Sequence, residues 1–139
     1  MLLQGRCHCG NVRFALDWSP DPARIPARAC GCTFCRKHGA SWTSNPAGTL
    51  RLSIEDPARV ERYAFGTHTA DFHVCMRCGV VPVCTSRIDG REHAVINVNT
   101  LEDIDAALFD RSSSDFDGEA TEDRLARRQS RWIADVRFD

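Results

Sequence analysis

The chain has 139 residues, eight cysteines and a formal net charge of −1, and a single domain of this length can bury its own hydrophobic core. The near-neutral charge argues against nucleic acid and anionic membranes as partners. The N-terminus lacks a secretion signal and no apolar run reaches about 18 residues, so we predict one cytoplasmic domain over residues 1–139 with no membrane partner. Thiols stay reduced in that compartment, which favours metal ligands or reactive groups over disulfides.

Alternating apolar residues predict short β-strands along most of the chain. The clearest run extends from Gly10 to Trp18 and places Val12, Phe14 and Leu16 on one face. Further strands are predicted over residues 50–55, 60–65, 69–74 and 93–99. Short strands separated by Gly, Pro and Asp turns are typical of a mainly β, mostly antiparallel domain.

Other segments predict loops and helices. Three prolines between residues 19 and 26 predict an extended loop that leads to the middle cysteines. Two segments have helical features: Thr100 to Leu108, which opens with a threonine followed by acids, and Glu119 to Ile133. We therefore expect one or two short helices toward the C-terminus. We interpret the acid-rich residues 102–123 as a solvated loop that leads into a basic C-terminal segment, which contains Arg124, Arg127, Arg128 and Arg131.

Seven of the eight cysteines fall into three tight groups. These groups are Cys7 with Cys9, Cys30 with Cys32 and Cys35, and Cys75 with Cys78. A spacing of one or two residues lets thiolates of one turn point at the same ion. Gly10 and Gly79 follow directly after two of the groups, where a turn needs a residue that tolerates positive φ.

The group sizes suggest two different zinc sites. The two pairs, Cys7, Cys9, Cys75 and Cys78, would close a structural site, whereas the middle group offers only three ligands. Three protein ligands with an exchangeable fourth position are typical of catalytic zinc. Spacing leaves alternatives open: His38 or Cys84 would complete the middle site, or Cys7 and Cys9 would join Cys30 and Cys32.

Three linked motifs resemble the glutathione-dependent formaldehyde-activating enzyme family, which includes the centromere protein V domain. The motifs are Gly5-Arg6-Cys7-His8-Cys9-Gly10, Cys30-Gly31-Cys32-Thr33-Phe34-Cys35 and Cys75-Met76-Arg77-Cys78-Gly79. The resemblance covers residues 5–108 and leaves 109–139 as a C-terminal extension. It implies a β-tent fold, in which antiparallel sheets are held together by zinc. It also implies a structural zinc on Cys7, Cys9, Cys75 and Cys78 and an open catalytic zinc on Cys30, Cys32 and Cys35, which makes two zinc ions per chain.

The resemblance also implies a reaction: formaldehyde joins the thiol of glutathione to give S-(hydroxymethyl)glutathione. We therefore predict a zinc-dependent carbon–sulfur lyase whose partners are a small thiol and an aldehyde. Three anionic sulfurs weaken the Lewis acidity of the metal, so we expect it to capture the thiol rather than to activate the carbonyl.

Some assignments are left open by the sequence. His38 is a candidate for proton transfer beside the middle group, and Arg36 and Lys37 are candidates to meet carboxylates of the thiol. Cys84 is interpreted as a small buried hydrophobe, and Trp42 is expected to pack near the site. The alternative function is a non-enzymatic zinc-stabilised module that binds a protein or other partner. A homodimer is compatible with either function.

Overall fold

The computed structural model describes residues 1–139 and contains eleven β-strands, two α-helices and three short 3₁₀ turns. The strands are β1 (Leu2–Arg6), β2 (Val12–Asp17), β3 (Ile25–Cys30), β4 (Ser41–Thr43), β5 (Thr49–Ile54), β6 (Val60–Tyr63), β7 (Asp71–Cys75), β8 (Val83–Ile88), β9 (Arg91–Asn97), β10 (Phe109–Ser114) and β11 (Asp135–Phe138). The helices are α1 (Thr33–His38) and α2 (Thr121–Arg131). The predicted mainly β class is confirmed.

The strands form two sheets. One has four strands in the order β1-β2-β5-β11, and the other has seven in the order β10-β3-β4-β9-β8-β7-β6. Neighbouring strands run antiparallel except for two pairs, β10 with β3 and β11 with β5. Strands β10 and β11, the last two in the sequence, form these parallel pairs at the edges of sheets whose other pairs are antiparallel. The prediction of a mostly antiparallel domain is therefore confirmed for most of the structure.

The main hydrophobic core lies between the two sheets. It joins residues of the smaller sheet, such as Leu16 and Leu50, to residues of the larger sheet, such as Ile96. All three are fully buried, and burying such a side chain contributes about 1.5–3 kcal/mol. In β2 the buried residues alternate with exposed Arg13, which confirms the alternation on which the first predicted strand rested.

The larger sheet is covered on both faces. Val83 and Ile96 face the core between the sheets, whereas Cys84 and Val95, their neighbours along β8 and β9, belong to a second apolar cluster. Trp132, which follows α2, packs into this second cluster. The outer face of the seven-stranded sheet is therefore a second buried layer, beneath the C-terminal helix.

Three sequence-based expectations about the fold are wrong. The residues interpreted as a solvated loop, 102–123, include strand β10. No helix runs from Thr100 to Leu108; the chain forms 3₁₀ turns at Val98–Thr100 and Ala106–Leu108. The side chain of Asp105 caps the second turn by accepting from the Ala107 N–H, so this acid caps a turn rather than opening a helix.

The proline-rich loop is also shorter than expected, because its end forms β3. Strand β4 pairs only with Arg28 and Ala29 of β3, so Pro26 lies outside that ladder and its missing N–H is tolerated there.

Helix α2 confirms the second predicted helix, with Glu122 and Asp123 in its first turn and Arg128 and Arg131 in its last. This charge order stabilises the helix dipole. Helix α1, which follows the middle cysteines, was not predicted from the sequence. No helix is both long and apolar enough to span a membrane.

Candidate functional site

The first and third cysteine groups come together in the structure. The Sγ atoms of Cys7, Cys9, Cys75 and Cys78 all lie within 4.8 Å of one another. Cys7 and Cys9 lie in the turn between β1 and β2, which belong to the smaller sheet, and Cys75 ends β7, which belongs to the larger one. The four-cysteine cluster therefore connects the two sheets.

Similar turns present these thiols. The N–H of Cys7 donates to the carbonyl of Val12 at 2.9 Å, and the N–H of Cys75 donates to the carbonyl of Val80 at 3.0 Å. Gly10 and Gly79 lie inside these turns with φ of 83° and 79°. A residue with a Cβ is strained at such angles, which explains why glycine follows the cysteines in both motifs.

The sulfur positions fit one tetrahedral ion. Ligands at the zinc–sulfur distance of about 2.3 Å lie about 3.8 Å apart around a tetrahedron. The observed distances are 3.7 Å between the sulfurs of Cys7 and Cys9 and 3.5 Å between those of Cys9 and Cys75. The Val12 N–H also donates to the Cys7 Sγ at 3.3 Å. The four-cysteine cluster could therefore hold a metal ion with a full set of protein ligands.

Burial makes this cluster costly to ionise without a cation. Burial raises the pKa of Cys7 to about 12, although a hydrogen bond from the backbone N–H of Val12 opposes the rise. Burial also raises the pKa of Cys78, but hydrogen bonds from the N–H groups of Val80 and Cys9 and from neighbouring thiols outweigh it and bring that pKa to about 6. A divalent ion would supply the charge that lets the remaining thiols ionise.

The middle group forms a second cluster. The Sγ atoms of Cys30, Cys32 and Cys35 lie within 4.8 Å of one another. Cys30 ends β3, and Cys32 is the N-cap of α1, where its Sγ accepts from the Cys35 N–H at 3.3 Å. The N–H of Gly31 donates to the carbonyl of Ser114 at 2.8 Å. The three-cysteine cluster is therefore held by its own helix and by β10.

The three thiols differ in environment. Cys35 is buried and accepts a hydrogen bond from the Trp42 Nε1–H at 3.4 Å, whereas Cys30 and Cys32 are partly exposed. The Cys35 thiol donates to Cys30 and lowers the pKa of Cys30 to about 6, and the same contact, together with burial, raises the pKa of Cys35. The cluster therefore carries negative charge at neutral pH, as a metal-binding thiolate group requires.

Neither candidate for a fourth ligand belongs to the three-cysteine cluster. The His38 side chain is exposed, and its ring packs against Phe34 with 4.5 Å between ring centroids. Partial burial lowers the pKa of His38. Cys84 is buried, as expected, and lies near the cluster without joining it. The chain therefore brings three sulfurs together at this position and no fourth ligand.

A cavity of about 440 Å³ opens over the three-cysteine cluster. This volume is within the range of small-molecule sites. Its walls combine apolar and charged side chains: Cys30, Cys32, Cys35, Trp42, Phe65, Phe72, Ala70, Cys84, Val95, Phe116 and Trp132 with Arg28, Arg124, Arg127, Arg128, Arg131, Asp117 and Glu119, among others. His38 is absent from this lining, whereas Trp42 contributes to it as expected. The cluster is therefore accessible to a small molecule.

The charged wall differs from the sequence-based expectation. Arg36 and Lys37 do not line the cavity; they lie in the last turn of α1, where their charge suits the helix dipole. Four arginines of the basic C-terminal segment line it instead, and Arg128 is only 7% exposed. The sequence analysis did not predict this wall. The spacing of residues 124, 127, 128 and 131 places them on one helix face, a signal that could have suggested a common face.

Fold and site define a two-sheet β protein with two cysteine clusters that could hold metal ions, one of which faces a cavity. A family model described as glutathione-dependent formaldehyde-activating enzyme matches residues 2–115. The chain belongs to this family, as the three motifs predicted. The match ends after β10, so α2 and β11 lie beyond it.

Individual relatives agree with this placement. A Halomonas elongata protein named "Putative glutathione-dependent formaldehyde-activating enzyme" is 35% identical over 85 residues, which cover 56% of this chain and 52% of that protein. The matched part thus spans about half the length of the relative. A crystal structure of a Rhodobacter sphaeroides protein is 32% identical, with a TM-score of 0.58, and the match covers 75% of this chain and 92% of that one.

Proposed function

We propose that this protein catalyses the reversible addition of a thiol to formaldehyde, with glutathione as the thiol. The carbon–sulfur bond forms as the carbonyl π bond opens, and the thiol proton ends on the new hydroxyl oxygen, so the product is S-(hydroxymethyl)glutathione. In the reverse direction the reaction breaks this carbon–sulfur bond, so the enzyme is a carbon–sulfur lyase. The names of the family and of its Halomonas relative support this choice of substrates.

One observation carries the proposal: three clustered thiols face a cavity and lack a fourth protein ligand. Cys30, Cys32 and Cys35 would hold a zinc ion there. When bound, zinc with an open position lowers the pKa of a captured thiol and so supplies thiolate at neutral pH. The four-cysteine cluster would hold a second, structural zinc, because its ligand set is complete.

The remaining residues position and shield the reacting atoms. The Trp42 Nε1–H fixes Cys35 by its 3.4 Å hydrogen bond to Sγ, and such N–H donors stabilise a thiolate ligand. Phe72 and Trp132 form apolar parts of the wall, which lower the local dielectric and strengthen electrostatic interactions near the reacting atoms. His38 does not line the cavity, so we assign proton transfer to solvent.

The alternative function, a zinc-stabilised module that binds a protein, needs an exposed surface suited to a partner. The structure has few exposed large hydrophobic residues, among them Leu2, Tyr63 and Met76, and a few exposed apolar residues are ordinary on globular domains. The cavity over the three-cysteine cluster favours the enzyme.

The experiment measures the exchange between formaldehyde, glutathione and their adduct by nuclear magnetic resonance with ¹³C-formaldehyde. The zinc-loaded protein should accelerate exchange well above the uncatalysed rate. Cys32→Ser should abolish the acceleration, whereas Thr33→Ala, which changes an exposed residue of α1 outside the cavity lining, should retain it. Equal acceleration by Cys32→Ser and the wild type would overturn the proposal.

A further inference from the structure

The wall of the cavity over the three-cysteine cluster carries an excess of positive charge. Five arginines line the cavity, against the carboxylates of Asp117 and Glu119. Glu119 is already held by Arg127, which donates to both carboxylate oxygens at 3.1–3.3 Å. The other four arginines form no salt bridge. Most of the positive charge of the wall is therefore not neutralised within the protein.

Two of these arginines are placed to receive a ligand. Arg28 donates to the hydroxyl of Ser44 at 3.2 Å, and that hydroxyl donates to the backbone carbonyl of Arg131 at 2.8 Å, so Ser44 brings the two residues together. The guanidinium of Arg131 makes no hydrogen bond within the protein. Burial, and then the charges of Arg131 and Arg127, lower the pKa of Arg28. Arg28 is half-buried, whereas Arg131 is exposed, and an anion between the two like charges would relieve their repulsion.

The other three arginines of the wall are held by contacts within the fold. Arg124 donates to the carbonyl of Phe116, and Arg127 lies 3.6 Å above the centroid of the Phe116 ring, so both hold the cavity rim. Arg128 donates to the hydroxyls of Thr69 and Ser86. The Nε atoms of Arg124 and Arg128 are buried without a partner.

Helix α2 is fixed in position over the cavity. Ile133, just after the helix, exchanges two backbone hydrogen bonds of 2.9 Å with Ala94 of β9. Trp132 is buried in the second apolar cluster. The arginine wall is therefore preorganised, which lowers the entropic cost of binding.

From this geometry we propose that Arg28 and Arg131 form a carboxylate-binding subsite, which makes the site selective for anionic thiols. The subsite rests on the proposed function for its reaction, since it positions the thiol over Cys30, Cys32 and Cys35. Guanidinium groups bind carboxylates through paired, charge-assisted hydrogen bonds. Because Arg131 lies beyond the residues that the family model matches, part of this selectivity comes from the C-terminal extension.

The test compares three thiols of similar length that differ in charge: 3-mercaptopropionate, 2-mercaptoethanol and the cationic 2-(dimethylamino)ethanethiol, whose tertiary amine cannot condense with formaldehyde. With formaldehyde as the second substrate, kcat/KM of the wild type should be at least tenfold higher for the anionic thiol than for the neutral one, and lowest for the cationic one. The double variant Arg28→Gln/Arg131→Gln should lose this preference while its kcat/KM for 2-mercaptoethanol stays within about twofold. Arg131→Lys should retain part of the preference. Arg51→Gln, an exposed arginine of the smaller sheet, is the matched control and should behave as wild type.

A binding measurement separates the subsite from the reaction. S-methylglutathione carries carboxylates but no thiol, and its Kd, measured by calorimetry, should rise at least tenfold in the double variant and stay unchanged in Arg51→Gln. Turnover that is independent of thiol charge would overturn the subsite and leave the proposed reaction standing. Arginine-dependent binding of S-methylglutathione without turnover of any thiol would support the subsite and overturn the reaction. Equal binding by the double variant and the wild type would overturn the subsite.

Discussion

The two cysteine clusters use the same ligand atom in opposite surroundings. The four-cysteine cluster joins turns from both sheets, and two of its members, Cys7 and Cys75, are fully buried. The three-cysteine cluster lies within a short stretch of chain around α1 and opens onto a cavity of about 440 Å³. One cluster therefore connects distant parts of the fold, and the other presents its sulfurs to a ligand.

This difference shows that the number of protein ligands and the position of a cluster together distinguish a structural metal site from a catalytic one. A complete ligand set between two sheets contributes to folding free energy, because the unfolded chain cannot assemble it. An incomplete set beside a cavity contributes less to the fold, because its ligands are already close together in the sequence. Removing one ligand from each cluster should consequently produce different losses.

The largest effect is expected for Cys75→Ser. Structural zinc sites contribute on the order of 10 kcal/mol in small zinc peptides, which is comparable to the whole stability of a typical domain, about 5–15 kcal/mol. We expect the variant to lose its cooperative thermal transition, as measured by circular dichroism. Cys84→Ala, at another buried cysteine, is the control and should still unfold cooperatively. A Cys75→Ser protein with the melting temperature of the wild type would contradict the structural role of the cluster.

The second effect concerns Cys32→Ser, which should lose at least 100-fold in kcat/KM for formaldehyde addition while remaining folded. Serine is a preferred N-cap, so the substitution keeps a cap at the start of α1 and we expect its free energy of unfolding to change by only about 1 kcal/mol. Activity assays and chemical denaturation check the two halves of the prediction. Collapse of the fold would show that the three-cysteine cluster is as structural as the other one.

A smaller effect is expected for Gly79→Ala in the four-cysteine cluster. The glycine has φ of 79°, and an added Cβ would meet no atom within 4 Å, so the cost is the left-handed conformation alone, about 1–2 kcal/mol. Gly90→Ala, in the turn between β8 and β9 with φ of 75° and equally open space, is the matched control. We expect equal losses of unfolding free energy in urea. A much larger loss at Gly79 would mean that the turn tolerates no adjustment around the sulfurs.

The smallest effect is expected for Trp42→Phe. The change removes the Nε1–H that donates to Cys35 and keeps most of the apolar ring, and one such hydrogen bond contributes about 0.5–1.5 kcal/mol. We expect weaker retention of metal in the three-cysteine cluster, as measured by competition with a chelator. Trp18→Phe changes a tryptophan of the core between the sheets and should retain the metal as the wild type does.

Local patterns in the sequence predicted part of this molecule well. The alternation through Val12, Phe14 and Leu16 identified β2, and the cysteine motifs identified the family, because both depend on residues close together in the chain. Strands β3 and β10 pair over a separation of more than eighty positions, and the chain around Pro26 carries no alternation that would reveal the partner. Such a pairing is set by tertiary contacts rather than by local propensity.

The arginine wall was missed for a related reason. A helix with charges along one face is usually solvated, and the sequence does not show that this face lies over a cavity. The arginine face of α2 lies over the cavity because Ile133 pairs with Ala94 and Trp132 is buried. Both features depend on contacts between segments that are distant in the sequence. The spacing of the four arginines could suggest a common face but not what that face meets.

The most direct test of the difference between the clusters is zinc release by a mild chelator, with metal content, circular dichroism and activity followed on the same sample. We predict two zinc ions per chain. One should leave first and abolish activity while the protein stays folded, and added zinc should restore the activity. Release of the second ion should coincide with unfolding. A single zinc per chain, or two ions that leave together as the protein unfolds, would contradict the assignment of one structural and one catalytic cluster.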